Sequence, residues 1–504
     1  LLAAETPRST ERSAISLEDK LSAQWERFSA ARTQLVGRAL DLATPIEKRM
    51  FTREEWERVL EPSLDMKLTA ADLESLRENQ RRRILRAKSV AARNSVIDFE
   101  KIRQLPTQER TKEISRFCAE VPKGGMLHVH PSGTFDRATV SHLLQSRNPL
   151  LPFQEILSAL TDPSMLLYPD ERSWLVSLGA DQNYLSLTLA NQARFAGMMF
   201  LPPGKHPFTR FESVFTFLDY VTPDWSAYEE AILDFANRAV AKGVSYVEFT
   251  TSASPDLFAL IERVEKRTGL VLRVNRSFSR ENTPGELDQR LTALLALAEN
   301  PRLVGIDILA NESNAPALEK GQLLYGRLLG EVQAGRSKLH RTMHAGELGD
   351  LRNPRDAMIL GAERLGHGVN LAHDPVALEY AARNHIAVEV NLSSNLRLTS
   401  VERLAEHPYL DYLRLGLPVS LSTDDEGIFD TDIAHECELA IAETDVTYAE
   451  FKTMAFNSIR TSFASDSDKQ VLTIRLERAF ADFERKQAFP ETRERHDMSL
   501  QPGA

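Results

Sequence analysis

Thr342-Met343-His344-Ala345-Gly346-Glu347 ends an apolar-patterned run on an imidazole and sets a carboxylate three residues further on. The run, 338–344, has the length of a strand, and the glycine after it lets the chain turn sharply enough to bring Glu347 back over the strand's end. Four other fragments also end a short apolar run on residues that carry chemistry: Leu127-His128-Val129-His130, Leu365-Gly366-His367-Gly368, Asn391-Leu392-Ser393-Ser394-Asn395 and Ser422-Thr423-Asp424-Asp425.

Working outward, runs of this kind recur at 126–130, 245–250, 270–275, 303–309, 338–344, 364–369, 386–392 and 418–422, with helical patterns between them. Strands alternating with helices predict a parallel sheet, and eight of them predict an α/β fold closed as a (β/α)8 TIM barrel. The gap at 131–243 is longer than one crossover needs, so it should hold a long helical insertion after the first strand. Within it, Phe195, Met198, Met199 and Phe200 read either as a roof over the barrel mouth or as the insertion's own core. Ahead of the barrel, 17–42, 53–60 and 70–93 show apolar residues at three and four spacing, and Thr69-Ala70-Ala71-Asp72 fits a capping box. The expected division is an N-terminal helical extension at 1–121, a metal-dependent barrel at 122–490 and a tail at 491–504.

The bulk numbers narrow the class. At 504 residues the chain can bury a large core, and 42% hydrophobic with 26% charged residues is the balance of a globular protein. No apolar run approaches the ~20 residues that span a bilayer. The net charge of −11 disfavours a nucleic-acid partner, and the basic run from Arg81 to Lys88 reads as the solvated face of a helix. Two cysteines, Cys118 and Cys437, are too few for a disulfide framework or a cysteine zinc site. Leu1-Leu2-Ala3-Ala4 reads as the trailing end of a signal peptide, which makes export the expectation and a cytoplasmic setting the alternative.

His128 and His130 stand two apart on a predicted strand, so both imidazoles face one side and suit one metal. His344, His367 and Asp424 end other predicted strands, where barrel enzymes keep their sites. Asp424 and Asp425 are neighbours, so one carboxylate can reach a metal while the other meets a substrate. This set of nitrogen and oxygen donors suits Zn²⁺ with one position left open. Competing motifs fail: His435-Glu436-Cys437-Glu438 has Leu439 where a zinc-protease helix needs its second histidine, and no phosphate loop or dinucleotide fingerprint occurs.

Together MLHVH, MHAGE, RLGHG, NLSSN and SLSTDD, in this order, resemble the adenosine deaminase family of the amidohydrolase superfamily. The helical segment before the barrel further resembles the secreted, growth-factor-related branch, where it supports dimerisation. The resemblance implies one Zn²⁺ per chain on His128, His130, His344 and Asp424. It also implies that Glu347 donates a proton to purine N1, that His367 orients and helps deprotonate the attacking water, and that Asp425 holds N7. The implied reaction is hydrolytic deamination of adenosine or 2′-deoxyadenosine, with a small-molecule nucleoside as the partner and a homodimer through the N-terminal helices.

Two departures bear on the sugar end. Where the family writes His-x-His-Leu-Asp-Gly, this chain has His130-Pro131-Ser132-Gly133, so Ser132 replaces the carboxylate expected at the ribose 5′-hydroxyl. Ala310 replaces the glycine whose amide meets purine N3. Ser132, Gly133 and Ala310 therefore join Asp425 as substrate-binding candidates, and a 5′-modified or N6-substituted adenine nucleoside or nucleotide stays open as substrate. Two readings from other classes are a two-metal amidohydrolase, whose bridging lysine is missing from 303–312, and a nucleoside-binding or signalling protein without turnover.

Overall fold

Every barrel strand pairs in parallel with the next, and the sheet runs in chain order. In the computed structural model, which describes residues 15–61, 67–313 and 316–488, the strands are β1 (Gly124–Val129), β2 (Val244–Thr251), β3 (Val271–Ser279), β4 (Leu303–Leu309), β5 (His340–Ala345), β6 (Arg364–His367), β7 (Ala387–Val390) and β8 (Val419–Leu421). Closure falls where the first and last strands meet: Val129 bridges Asp424, and the Asp424 amide donates to the His128 carbonyl at 3.1 Å. The expected (β/α)8 barrel is present. Strands β1, β4, β5 and β7 are near-continuously buried, as helices on the outside and side chains on the inside require.

The insertion after β1 is helical, as its length predicts. Phe195, Met198, Met199 and Phe200 are buried, and Phe195 stacks against Phe153, Tyr184 and Phe217 of the same insertion. Of the two readings, the insertion's own core is therefore the observed one. The residues that reach the barrel mouth come instead from a later helix of the insertion, described below.

The N-terminal helices α1 (Leu17–Leu40), α2 (Arg53–Leu60) and α3 (Ala70–Asn94) lie against the barrel of their own chain, and the predicted Thr69–Asp72 capping box is formed. The next long helix, α4 (Thr107–Glu120), leads into β1; the inserted helix at the mouth is α5 (Phe208–Leu218), and α6 (Ala317–Gln333) follows β4. Side chains of Leu35, Ala39 and Leu40 seat on Gly326 and Gly330 of α6, where any added methyl would lie 3.1 Å or less from them. Trp56 is fully buried, and its indole N–H donates to Asp356 at 3.3 Å, while Arg53 reaches the same carboxylate at 2.7 Å. In the basic run Arg81 and Arg82 are exposed, and Arg83 pairs with Glu379 at 2.8 Å. This is the solvated face that the sequence predicts, pinned by Arg83 to Glu379 and by Lys88 to Asp445.

Cys118 of α4 and Cys437 of α7 (Ile433–Glu443) are joined by a disulfide across 319 residues of sequence, with Cα atoms 5.7 Å apart. Among the described residues no helix is long and apolar enough to cross a membrane. The Leu1–Ala4 run and the 491–504 tail lie outside the described residues.

Candidate active site

The ends of β1, β5, β6 and β8 bring His128, His130, His344, His367 and Asp424 together at one mouth of the barrel. Imidazole centroids are 4.3 Å apart for His128 and His344, 4.7 Å for His128 and His367, and 5.3 Å for His130 and His344. Asp424 Oδ1 lies 3.2 Å from His130 Nε2 and 3.5 Å from His128 Nε2. His367 and Asp424 hold positive φ angles of 64° and 58°, and Ala310 one of 84°. Non-glycine residues adopt this region at a cost, and three of the seven that do so among the described residues are at this site. At Ala310 the conformation explains why glycine is the default residue there.

Second-layer carboxylates fix which imidazole nitrogen faces inward. His128 Nδ1 is 2.8 Å from Glu389 Oε2, and His344 Nδ1 is 2.9 Å from Asp307 Oδ2. At His128 the N–H given to Glu389 at Nδ1 leaves the Nε2 lone pair free, and that buried Nε2 has no hydrogen-bond partner; His344 Nδ1 lies beside Asp307 as a charge contact without hydrogen-bond alignment. Glu389 in turn accepts from Arg364 at 2.6 Å and Thr342 at 2.8 Å.

His367 is set the other way. The Tyr409 amide N–H points at His407 Nδ1 at 3.2 Å, so His407 Nε2 carries the proton and donates to Asn395 Oδ1 at 3.0 Å. Burial holds His407 neutral, its pKa drawn down to about 3. The Asn395 amide must then donate to His367 Nδ1 at 2.9 Å, which leaves the His367 proton on Nε2. That N–H faces Glu347 Oε2 at 3.8 Å and Asp424 Oδ2 at 3.9 Å. Burial and the surrounding imidazoles also depress the pKa of His367.

By distance alone, His128, His344, His367 and Asp424 form one group that could hold a metal ion, and His130, Asp424 and Asp425 another. The tautomer chain separates them. His367 offers a proton at Nε2 and not a lone pair, whereas His128 offers a lone pair. Imidazole nitrogens with one carboxylate fit a divalent transition metal.

Glu347 arrives through Gly346, whose φ of 98° makes the turn that the sequence suggests. Glu312 holds that turn: it accepts from the Gly346 amide at 2.8 Å and from the Glu347 amide at 3.0 Å. Burial, then the charges of Asp424 and Glu312, push the Glu347 carboxyl well above the usual range. Asp425 is likewise pushed up by burial and by Asp424, and neither of its buried oxygens has a hydrogen-bond partner.

The cavity at this mouth, about 200 Å³, is lined by Glu347, Asp425, Ala310 and most of the histidines on one side and by α5 on the other. Ser132 and Gly133 do not line it. They lie in the turn Pro131–Thr134, where a methyl on Gly133 would fall 1.8 Å from Asp425 Oδ1, so this glycine makes room for the Asp425 side chain. Sequence reasoning missed Glu389, Asp307, Glu312, His407 and Glu212. The available signal was a lone charge inside an apolar run, as in Val388-Glu389-Val390.

Comparison with known proteins agrees with this arrangement. The adenosine deaminase family model matches residues 205–479. An adenosine deaminase of Photorhabdus laumondii is 27% identical over 357 residues, 69% of this chain and 96% of that one. In fold, the chain is similar to a zinc-bound amidohydrolase from Burkholderia ambifaria (TM-score 0.53, 19% identity, 76% of this chain and 96% of that one). It is also similar to the N6-methyl-AMP deaminase of Arabidopsis thaliana (TM-score 0.51, 19% identity, 73% of this chain and 99% of that one). With its barrel strands in place, its imidazoles and carboxylates gathered at one mouth, and just over half of its length matched by the family model, the chain belongs to the adenosine deaminase family.

Proposed function

We propose that this hydrolytic deaminase acts on adenosine and 2′-deoxyadenosine, releasing ammonia and leaving inosine or 2′-deoxyinosine, with one Zn²⁺ per chain. One observation carries the reading: Glu347, whose carboxyl burial pushes well above its usual range, lines the same cavity as the histidine and aspartate cluster. A bare metal hydrolase has no need of such an acid. A deaminase must protonate N1 of the purine as C6 loses its aromatic character.

His128, His130, His344 and Asp424 would hold the metal, and when bound it would lower the pKa of a water toward neutrality. The chain's own residues do the rest. His367 Nε2–H donates to the attacking oxygen and orients it, which is the half of its expected role that its tautomer supports. Asp425, pushed toward its acid form, donates to N7, which only accepts. Glu347 gives its proton to N1 as the oxygen adds to C6. The hydroxyl proton of the C6 adduct then passes to the Glu347 carboxylate and from it to the amino group. The C6–N bond breaks, and ammonia leaves as the C6 oxygen becomes the carbonyl of inosine. Adenine-band absorbance and ammonia release from metal-replete protein test this reading, and no ammonia from any adenine nucleoside would overturn it.

A second substrate reading, a 5′-modified or N6-substituted adenine nucleoside or nucleotide, is favoured by Ser132, which leaves no carboxylate at that position to repel a phosphate. Side-by-side rates on adenosine and AMP decide between the two. For the compartment, the buried Cys118–Cys437 pair favours export to an oxidising setting over the cytoplasm.

A further inference from the structure

Phe208, Phe211, Glu212 and Phe215 occupy one stripe of α5, at i, i+3, i+4 and i+7, and all four line the cavity opposite the catalytic groups. Three phenyl rings make an apolar wall, and a carboxylate set among them is costly unless something uses it. Glu212 has no hydrogen-bond or ion-pair partner among the described residues. Burial, with the nearby Glu281 charge, pushes its carboxyl up to about 7. Glu212 and the Glu347 carboxyl line one small cavity.

A purine whose N1 and N7 edges meet Glu347 and Asp425 has its sugar left for the remaining walls. On the α5 side, Glu212 is the one lining residue with a charged or polar side chain. Ser132 does not line the cavity, and its lining residues include no arginine or lysine to receive a phosphate. We infer that Glu212 accepts hydrogen bonds from the ribose hydroxyls of the substrate and turns away 5′-phosphorylated compounds, so that uncharged adenine nucleosides are the substrate class. The inference rests on the deaminase reading above. It moves sugar recognition from the strand end, where Ser132 stands, to the inserted helix. The ionised form of Glu212, with no arginine or lysine among the lining residues, disfavours a phosphate, whereas a hydroxyl hydrogen finds an acceptor there.

The test compares wild-type protein with E212Q, E212A and E212D on adenosine, 5′-deoxyadenosine, 2′,3′-dideoxyadenosine and AMP. Wild type should prefer adenosine to AMP at least tenfold and lose rate on the analogue that lacks the contacted hydroxyl. E212Q and E212A should raise KM for adenosine about tenfold with little change in kcat, leave the rate on that analogue unchanged, and narrow the preference over AMP. E212D should retain part of the preference. Unchanged ratios in every variant, or a wild type that prefers AMP, would overturn the inference and leave deamination standing. No ammonia from any of the four compounds would instead remove the functional reading. Should E212A or E212Q not fold, equal wild-type rates on adenosine and both deoxy analogues would overturn the inference, and unequal rates with the predicted order would support it.

Discussion

Nδ1 of His128 sits 2.8 Å from Oε2 of Glu389, and both side chains are fully or almost fully buried. The glutamate therefore decides which face of the imidazole a metal meets, and it is itself held by Arg364, which also pairs with Glu248. Replacing Glu389 with Gln keeps an acceptor but removes the charge. Metal affinity should fall about 10–100-fold, as for other groups that orient a ligating histidine. Competition with a chelator measures it, and wild-type retention of metal would contradict this role.

For Glu347 the expected loss is in chemistry and not in metal. E347Q should lower kcat by about 10²–10⁴-fold with metal content unchanged. The raised carboxyl also predicts the form of the pH dependence: wild-type rate is held while Glu347 keeps its proton and falls as pH rises through its elevated folded pKa. Stability follows the same sign. Because the folded pKa is raised, the contribution of this group is full below the ordinary carboxyl value of 4.5 and is lost as pH climbs through the folded value. Metal-free E347Q should therefore melt higher than metal-free wild type above that range, and an equal or lower melting temperature would refute the linkage.

The relay from Tyr409 through His407 and Asn395 predicts a graded series. H407L cannot donate to Asn395, so the amide is free to turn and His367 can take up a second proton. Activity should drop about tenfold or more, and the acid limb of the pH–rate profile should move up. H407Q both accepts and donates, and should keep most of the activity. If H407L and H407Q behave alike, the effect is one of packing and the relay is not at work.

Reducing the Cys118–Cys437 bond releases a link that closes a very long loop. The expected cost is about 2–4 kcal/mol, seen as a lower urea midpoint in reductant or in C118S/C437S. A midpoint unchanged by reductant, together with two titratable thiols in the native protein, would show that the bond does not form.

The barrel was legible because its strands end on residues that few structural strands need. His128 and His130, two apart, declare one face, and the runs around them alternate with helices. The residues that position this set were not legible, since their partners lie far away in sequence. Glu389 looks like any strand glutamate until Arg364 and His128 close on it, and His407 matters only through an asparagine that the fold delivers. Helical phase also cannot say which apolar stripe faces a cavity. Phe195 and Phe211 have similar local patterns, yet the first packs inside the insertion and the second lines the cavity. Strand ends slipped for a local reason as well: the run expected to reach 369 stops at His367, whose positive φ breaks the ladder.

The seating of α1 on α6 sets an order of events during synthesis. Leu35, Ala39 and Leu40 leave the ribosome early, but the glycines they rest on, Gly326 and Gly330, follow some 290 residues later. Until then the part of the apolar side of α1 that α2 does not cover has no native partner, and contacts so far apart in the chain form late. Helix α1 therefore completes its docking late, and a nascent chain stalled before residue 330 would carry its α6-facing side exposed.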